Sequence, residues 1–369
     1  TALRNWVHSH PSHQGQLQDR LRAFSYSNHA SALGQPLASR LFMKNGHFTG
    51  SISQFESYRK CPYRYYLEKG LHLKPVDQSD LDARDFGNYL HAGLHNFGDR
   101  LKQSAQQWRD VSDKDIQSLS TQIAGEIAPR IKHGILRSDA AQAYTEHALN
   151  DAFSRTLKRL RNWSRQSSFN TQMLEKQFSL HLQDDLGRLF TLRGTIDRMD
   201  TCDNAAVIAD YKTGSTTANL YSMLIGYHLQ LIVYLLAVLR ESKNALLPAA
   251  ILYIYISGDT ALSASVPSSP DELDEMPGKA DHFMSGYFNQ DEEIIQNLDH
   301  AFLPDSEDAP FIPVKRTKTG KIAKSGKLLT REEFSILEEK VTQIMGKLHE
   351  HIASGDIPIR PARLDKRNP

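Results

Sequence analysis

The period of the apolar residues changes along the chain and divides it into parts. From Asp82 to Leu101, Phe86, Leu90, Leu94, Phe97 and Leu101 recur three or four positions apart. That spacing lines one face of a helix. Residues 112–165 read the same way and predict two more helices. Near residue 173 the period falls to two. "MLEKQFSLHL" (Met173–Leu182), "LFTLRGTIDRM" (Leu189–Met199) and "AAVIADY" (Ala205–Tyr211) predict three strands. Turn residues at Asp184–Gly187 and at Asp203 and Asn204 join them as a meander. An apolar helix over Leu220–Arg240 and a strand over Ala249–Ser257 follow. Helix, three strands, helix, strand is an α/β fold with an αβββαβ core and added helices.

The flanks are less regular. Residues 1–47 are polar and His-rich, with a predicted helix near Gln16–Phe24, and read as the tail of a preceding region. "SISQFESYRKCPYRYYLEKGL" predicts two short helices. Ser53 and Glu56 have capping-box spacing, Pro62 starts the second helix and Gly70 ends it. Residues 258–280 are rich in Ser, Pro, Asp and Glu and predict a loop. They open a mobile insertion over 258–331 whose last part, Lys315–Arg331, holds seven basic residues and no acid. A final helix runs from Glu332 to a stop at Gly355.

Composition adds little to this picture. The chain has 369 residues, a net charge of +1, 40% apolar and 24% charged residues, which is ordinary for a soluble protein. Such a charge neither supports nor excludes nucleic acid; what matters is where the charge sits. Two cysteines, Cys61 and Cys202, give no disulfide framework and suit a reducing cytosol. No apolar run is long enough to cross a membrane. The start at Thr1 and the stop at Pro369 read as those of a fragment.

The candidate chemistry sits where "AAVIADYKTGS" ends. Residues i and i+2 of a strand share a face, so Asp210 and Lys212 point together and Tyr211 points away. The preceding strand carries Asp197, which converges on Asp210 if the two strands pair. Two adjacent carboxylates repel unless a cation lies between them, and hard oxygen ligands suit Mg²⁺. A lysine beside such a cation orients or deprotonates water, or touches a phosphate. The set describes attack of water on a phosphodiester. A bland reading stands beside it: a D-x-K triplet arises by chance about once in a chain this long. Glu338-x-Lys340, on a helix, is such a decoy. Gln230 and Tyr234 share a helix face after the third strand and read either as buried, satisfied polar groups or as a brace for the site. His91 and His95 are one turn apart, yet no third zinc ligand is near in sequence. His91 flanks the apolar stripe and can supply a nitrogen to the same cation.

Four stretches, "SISQFESYRKCPYRYYLEKGLHL", "FGNYLHAGLH", "GTIDRMD…VIADYKTG" and "QLIVY", resemble the PD-(D/E)XK nuclease superfamily in their order and spacing. The likeness is to the RecB-type nuclease domain at the C-terminus of AddB and RexB subunits of bacterial helicase–nucleases, and covers residues 48–369 as one domain. It implies a restriction-endonuclease-like fold with a mixed central sheet. It puts metal ligands at His91, Asp197, Asp210 and the Tyr211 backbone carbonyl, with Glu175 at a position where some relatives carry an acid. It puts the catalytic lysine at Lys212 and the Q-x-x-x-Y motif at Gln230 and Tyr234. The expected cofactor is Mg²⁺, with Mn²⁺ as an alternative. Many relatives hold an iron–sulfur cluster with a cysteine at the position of Cys61 and three more after a C-terminal Pro-rich stretch. Here those three are missing, so this chain is not expected to hold a cluster unless it is cut short.

The resemblance implies a Mg²⁺-dependent exodeoxyribonuclease that acts on single strands delivered by a helicase, in double-strand-break processing beside an AddA/RexA-like partner. DNA contact is expected from Lys315, Arg316, Lys318, Lys321, Lys324 and Lys327 and from stacking on Tyr63 and Tyr65. The basic run equally reads as a solvated loop. Two other readings stay open: a silent DNA-binding scaffold of the same fold, and a free-standing RecB-like nuclease of the CRISPR-associated kind.

Overall fold

The structure, a computed structural model, describes residues 32–74, 81–214, 217–256, 284–303 and 309–362, with Trp6 and Ser9. The expected helix at Gln16–Phe24 and the loop at 258–280 lie outside the described residues.

A mixed sheet carries the site. Its long central strand, β3 (Leu189–Cys202), pairs antiparallel along its length with β2 (Asn170–Gln183). On its other side β3 pairs first with β1 (Phe48–Ser51), in parallel, and then with β4 (Ala205–Lys212), antiparallel. β4 runs parallel to β5 (Leu247–Tyr255), and β6 (Met284–Asn289) and β7 (Leu328–Leu329) complete the edge. The predicted meander is therefore present. The four-residue β1 and two-residue β7 are too short for a period to show. β6 and a helix at Glu292–Leu298 lie inside the segment read as a mobile insertion, so part of that segment is regular structure. Gly286 permits it: a Cβ there would lie 2.0 Å from the Ile251 carbonyl oxygen of β5.

Helices cover both faces. In chain order they are α1 (Gln35–Phe42), α2 (Ile52–Lys60), α3 (Pro62–Tyr65), α4 (Ala83–Gln103), α5 (Asp113–Ile127) and α6 (Ala140–Arg165). Then come α7 (Leu220–Leu224), α8 (Gln230–Glu241), α9 (Glu292–Leu298) and α10 (Arg331–Ser354). The α4 stripe packs with α5 and α6 on Val207, Ala209 and Leu252. On the opposite face α2, α8 and α10 pack on Phe178, Ile196 and Ile208. α1 rests on the end of α10, where Leu33 N–H donates to the Gly355 carbonyl. Gly355 ends α10 with φ +77°, as its position predicts.

Two local expectations are corrected. The single helix over Leu220–Arg240 is two helices, because Gly226 turns left-handed (φ +82°) between them. α2 is capped by Ser51, whose Oγ accepts from Gln54 N–H, so the capping box on Ser53 does not form. Glu56 is left for another partner.

The β2–β3 ribbon also changes facing near its middle. Ile196 and Met199 both face the α8–α10 core, whereas Arg198 lies under Trp108 and Trp163 of the other layer. On β2, Phe178 faces the first core and Leu174 the second. Leu174 pairs with Arg198 and Lys176 with Ile196, so the two breaks sit opposite each other at Glu175 and Asp197. Glu175 has φ +47°, a left-handed backbone that non-glycine residues adopt at a cost.

Candidate active site

The C-terminal end of β4 brings buried charge together. Asp210 is 2% exposed, and Lys212 Nζ lies 2.6 Å from its Oδ2, off the line of a hydrogen bond. Lys212 Nζ donates instead to Gln230 Oε1 at 2.8 Å. β3 pairing sets Asp197 level with Asp210, and Asp197 Oδ2 accepts from Tyr211 N–H at 2.9 Å. His91 enters from α4. Its Nε2–H donates to the Tyr211 carbonyl at 3.1 Å, and its Nδ1 lies 3.5 Å from both Glu175 Oε1 and Asp197 Oδ2.

The electrostatics follow from burial and crowding. Burial and then Asp210 push the Asp197 carboxyl up to about 7, against the pull of His91 and the Tyr211 N–H. Burial also raises Asp210, and the Lys212 ammonium opposes it. Burial would lower His91, but Glu175, Asp197 and Asp210 outweigh it and raise the imidazole to about 8. Acids that resist ionisation around a shared space are those a cation would relieve. One ligand atom each from His91, Glu175 and Asp197 lies within 4.8 Å of the others, with Asp210 adjoining. An imidazole and carboxylates are a donor set for a divalent cation such as Mg²⁺ or Mn²⁺, so the residues fit one.

This layout is a carboxylate pair and a lysine at a strand end, faced by a histidine and bracketed by a helix with a glutamine. A family model described as the PD-(D/E)XK nuclease superfamily matches residues 49–364. The chain belongs to that superfamily. It is also similar to proteins named as the B subunit of an ATP-dependent helicase/deoxyribonuclease. The Geobacillus kaustophilus protein is 28% identical over 96% of this chain and 31% of its own length. The Desulforamulus reducens protein is 27% identical over 98% and 32%. The Clostridioides difficile protein is 28% identical over 92% and 30%. The chain thus spans about a third of the length of these curated relatives.

The fold of this PD-(D/E)XK chain brings His91, Glu175, Asp197, Asp210, Lys212 and Gln230 together. Tyr234 follows one turn after Gln230, and its ring packs edge-on against Phe178 at 5.7 Å. Burial, then the site carboxylates, hold its phenol above the usual range. His95 turns instead to Asp99, 3.4 Å away. Glu56, read from the sequence as half of a capping box, accepts from Leu229 N–H at 2.7 Å. It caps α8, which has no side-chain cap of its own, just before Gln230. Burial raises Glu56, while Leu229 and the nearby Lys60 and Lys212 oppose the rise. No local signal could reveal this role, because the contact spans 173 residues.

The candidate DNA contacts divide. Lys318, Lys321 and Lys324 are exposed. Lys315 is exposed, and its backbone carbonyl accepts from Ala323 N–H. Arg316 is a structural residue: its side chain is 3% exposed, pairs with Glu292 at 2.7 Å and lies over Phe302. Lys327 Nζ donates to the Ala218 carbonyl and lies over the Tyr287 ring, and burial lowers its pKa. Tyr65 is buried against Phe42 and Tyr58 and presents no face for stacking, whereas Tyr63 is half-buried. Cys61 joins α2 to α3 and is half-buried rather than core, and Ala362 N–H donates to the adjacent Lys60 carbonyl. The two cysteines of the sequence cannot supply the four thiolates of a cluster. Among the described residues no helix is long and apolar enough to cross a membrane.

Proposed function

We propose that this chain hydrolyses phosphodiester bonds in single-stranded DNA, with a divalent cation held by His91, Glu175, Asp197 and Asp210. The observation that carries the reading is the packing of His91, Glu175 and Asp197 around one space, with Asp210 adjoining and Lys212 fixed at its rim. The cation, Mg²⁺ or Mn²⁺, supplies charge for the phosphate and acidifies bound water.

The protein's own groups do the rest. His91 donates Nε2–H to the Tyr211 carbonyl, which leaves Nδ1 as the ligand atom once its proton is lost. That hydrogen bond uses the Tyr211 carbonyl to brace the imidazole, so with Nδ1 as the ligand atom the carbonyl positions His91 and does not itself ligate beside it. Lys212 is held by Asp210 and Gln230 rather than free to swing, so its ammonium is positioned to orient the attacking water or contact the phosphate. Glu56 fixes the α8 terminus from which Gln230 projects. Tyr234 packs behind as support. The phosphate-facing charge comes from Lys212, aided by the exposed Lys318, Lys321 and Lys324.

The relatives are named as one subunit of an ATP-dependent helicase/deoxyribonuclease, which supports a setting beside a second subunit. In the proposed reading that partner is AddA/RexA-like, and the chain trims DNA strands as an exonuclease during double-strand-break repair in the bacterial cytoplasm. A silent scaffold is the weaker reading, because a scaffold has no use for buried carboxylates that cost stability. The test is a 5′-labelled single strand incubated with this chain. Shortening in Mg²⁺ and not in EDTA is expected; an intact strand under both conditions, with Mn²⁺ also inactive, rejects the reading.

A further inference from the structure

Beyond the Glu175–Asp197 break, the β2–β3 ribbon carries a polar groove that leads away from the site. Gln177 pairs with Thr195 and Ser179 with Arg193, so these four side chains share one face. Phe178 and Leu180, between them, turn to the core. Gln177, Ser179 and Arg193 are exposed, Gly194 and Thr195 half-buried. With Phe178 they line a groove of about 510 Å³ that begins two residue pairs from Glu175 and Asp197. No acid lines it. Among the described residues the Arg193 guanidinium has no hydrogen-bond or ion-pair partner, while its backbone is held in the sheet by Ser51 and Ser179.

We propose that this groove is a track for the sugar–phosphate backbone of the DNA strand whose bond lies at the cluster, with Arg193 as its phosphate contact. Gln177, Ser179 and Thr195 supply the neutral hydrogen-bonding groups that protein surfaces use on phosphate and sugar. The proposal rests on the nuclease reading above and names where its polymer substrate runs. Four residues of strand separate Arg193 from Asp197, about 13 Å. A strand held at the cluster therefore reaches Arg193 only through further nucleotides. A face made for a protein partner would carry apolar anchors at its centre. The exposed side chains that line the groove are polar or cationic, which suits a hydrated anion.

The experiment is binding of a fluorescein-labelled oligothymidylate by fluorescence anisotropy, in EDTA so that no strand is cut. Wild type is compared with Arg193→Glu and with Lys114→Glu, a charge-matched change at an exposed position on α5. Arg193→Glu should weaken binding by about tenfold or more, the value of a charged hydrogen bond. It should also lower the salt dependence by about 0.7 in the log–log slope. Lys114→Glu should change affinity less than about twofold. Equal affinity of wild type and Arg193→Glu, or equal losses in both variants, overturns the track. Hydrolysis of bis(p-nitrophenyl) phosphate by the wild-type chain with Mn²⁺ tests the chemistry separately. If it proceeds while Arg193→Glu binds as wild type, the track falls and the nuclease reading stands. If it is absent, the nuclease reading falls and takes the track with it.

Discussion

Tyr211 ties the site together through its backbone. Its N–H holds Asp197, its carbonyl holds His91, and its ring, on the face away from Asp210 and Lys212, lies beside the buried Arg198 and edge-on to the His91 ring. The acids this arrangement gathers set a pH dependence. Asp197 titrates near 7 and His91 near 8, and both must be deprotonated to hold a cation. Mg²⁺ or Mn²⁺ affinity should therefore rise from pH 6 to pH 9, with proton release visible by calorimetry in buffers of different ionisation heat. Without metal the sign is opposite. Both groups have pKa values raised above the unfolded chain's, so their contribution to stability is full at low pH and fades as pH climbs through about 7 and 8. The metal-free protein should melt lower at pH 9 than at pH 6, and saturating Mg²⁺ should narrow the gap. Glu56 gives a second residue-scale expectation. Glu56→Ala leaves the buried Leu229 N–H without its acceptor and should cost about 1–3 kcal/mol in denaturant unfolding, whereas Glu56→Gln keeps an acceptor and should cost less. Asp197, Asp210 and Lys212 were legible in the sequence because a period of two fixes which side chains share a face. Glu56 was not, because its partner lies on another helix.

At the scale of elements, the break in the β2–β3 ribbon decides the site. Cross-strand pairing already puts Glu175 and Asp197 on one face. The left-handed turn at Glu175 lets that face be the α4 side although the neighbouring Leu174 and Arg198 also face it, at a backbone cost of order 1–3 kcal/mol. Glu175→Gly should therefore melt no lower than wild type while binding Mn²⁺ at least about tenfold more weakly, because glycine relieves φ +47° but supplies no ligand. A large fall in melting temperature would contradict the assigned strain. The three strands were readable from their apolar alternation, and α4 from its stripe. The break was not, since a positive φ at a glutamate leaves no trace in the pattern. The α7–α8 joint was missed for a similar reason: apolar residues continue through Ile225 and Tyr227, and only the conformation of Gly226 interrupts them.

Over the whole molecule, the ribbon is pinned to the C-terminal helix far from the site. Asp184, in the β2–β3 turn, accepts from Leu186 N–H, Arg188 N–H and Nε, and His349 Nδ1 of α10. Burial opposes its charge, but these donors hold its carboxyl below the usual range. The His349 ring stacks on Phe190 at 4.5 Å. Asp184→Ala should destabilise the protein by about 3–5 kcal/mol, the loss seen when a buried pair is broken, and chemical denaturation would measure it. The αβββαβ order and the family were legible at this scale, while the placement of the basic run was not, because Arg316 and Lys327 are spent on Glu292 and Ala218. The central claim is that β4 carries phosphodiester hydrolysis. Its most direct test is Mg²⁺-dependent cutting of a labelled single strand by wild type, Asp210→Ala and Lys212→Ala, with Mg²⁺ binding measured on the same samples. Cutting should be lost in both variants, and Mg²⁺ binding should weaken in Asp210→Ala and survive in Lys212→Ala. Undiminished cutting in either variant would place the chemistry elsewhere.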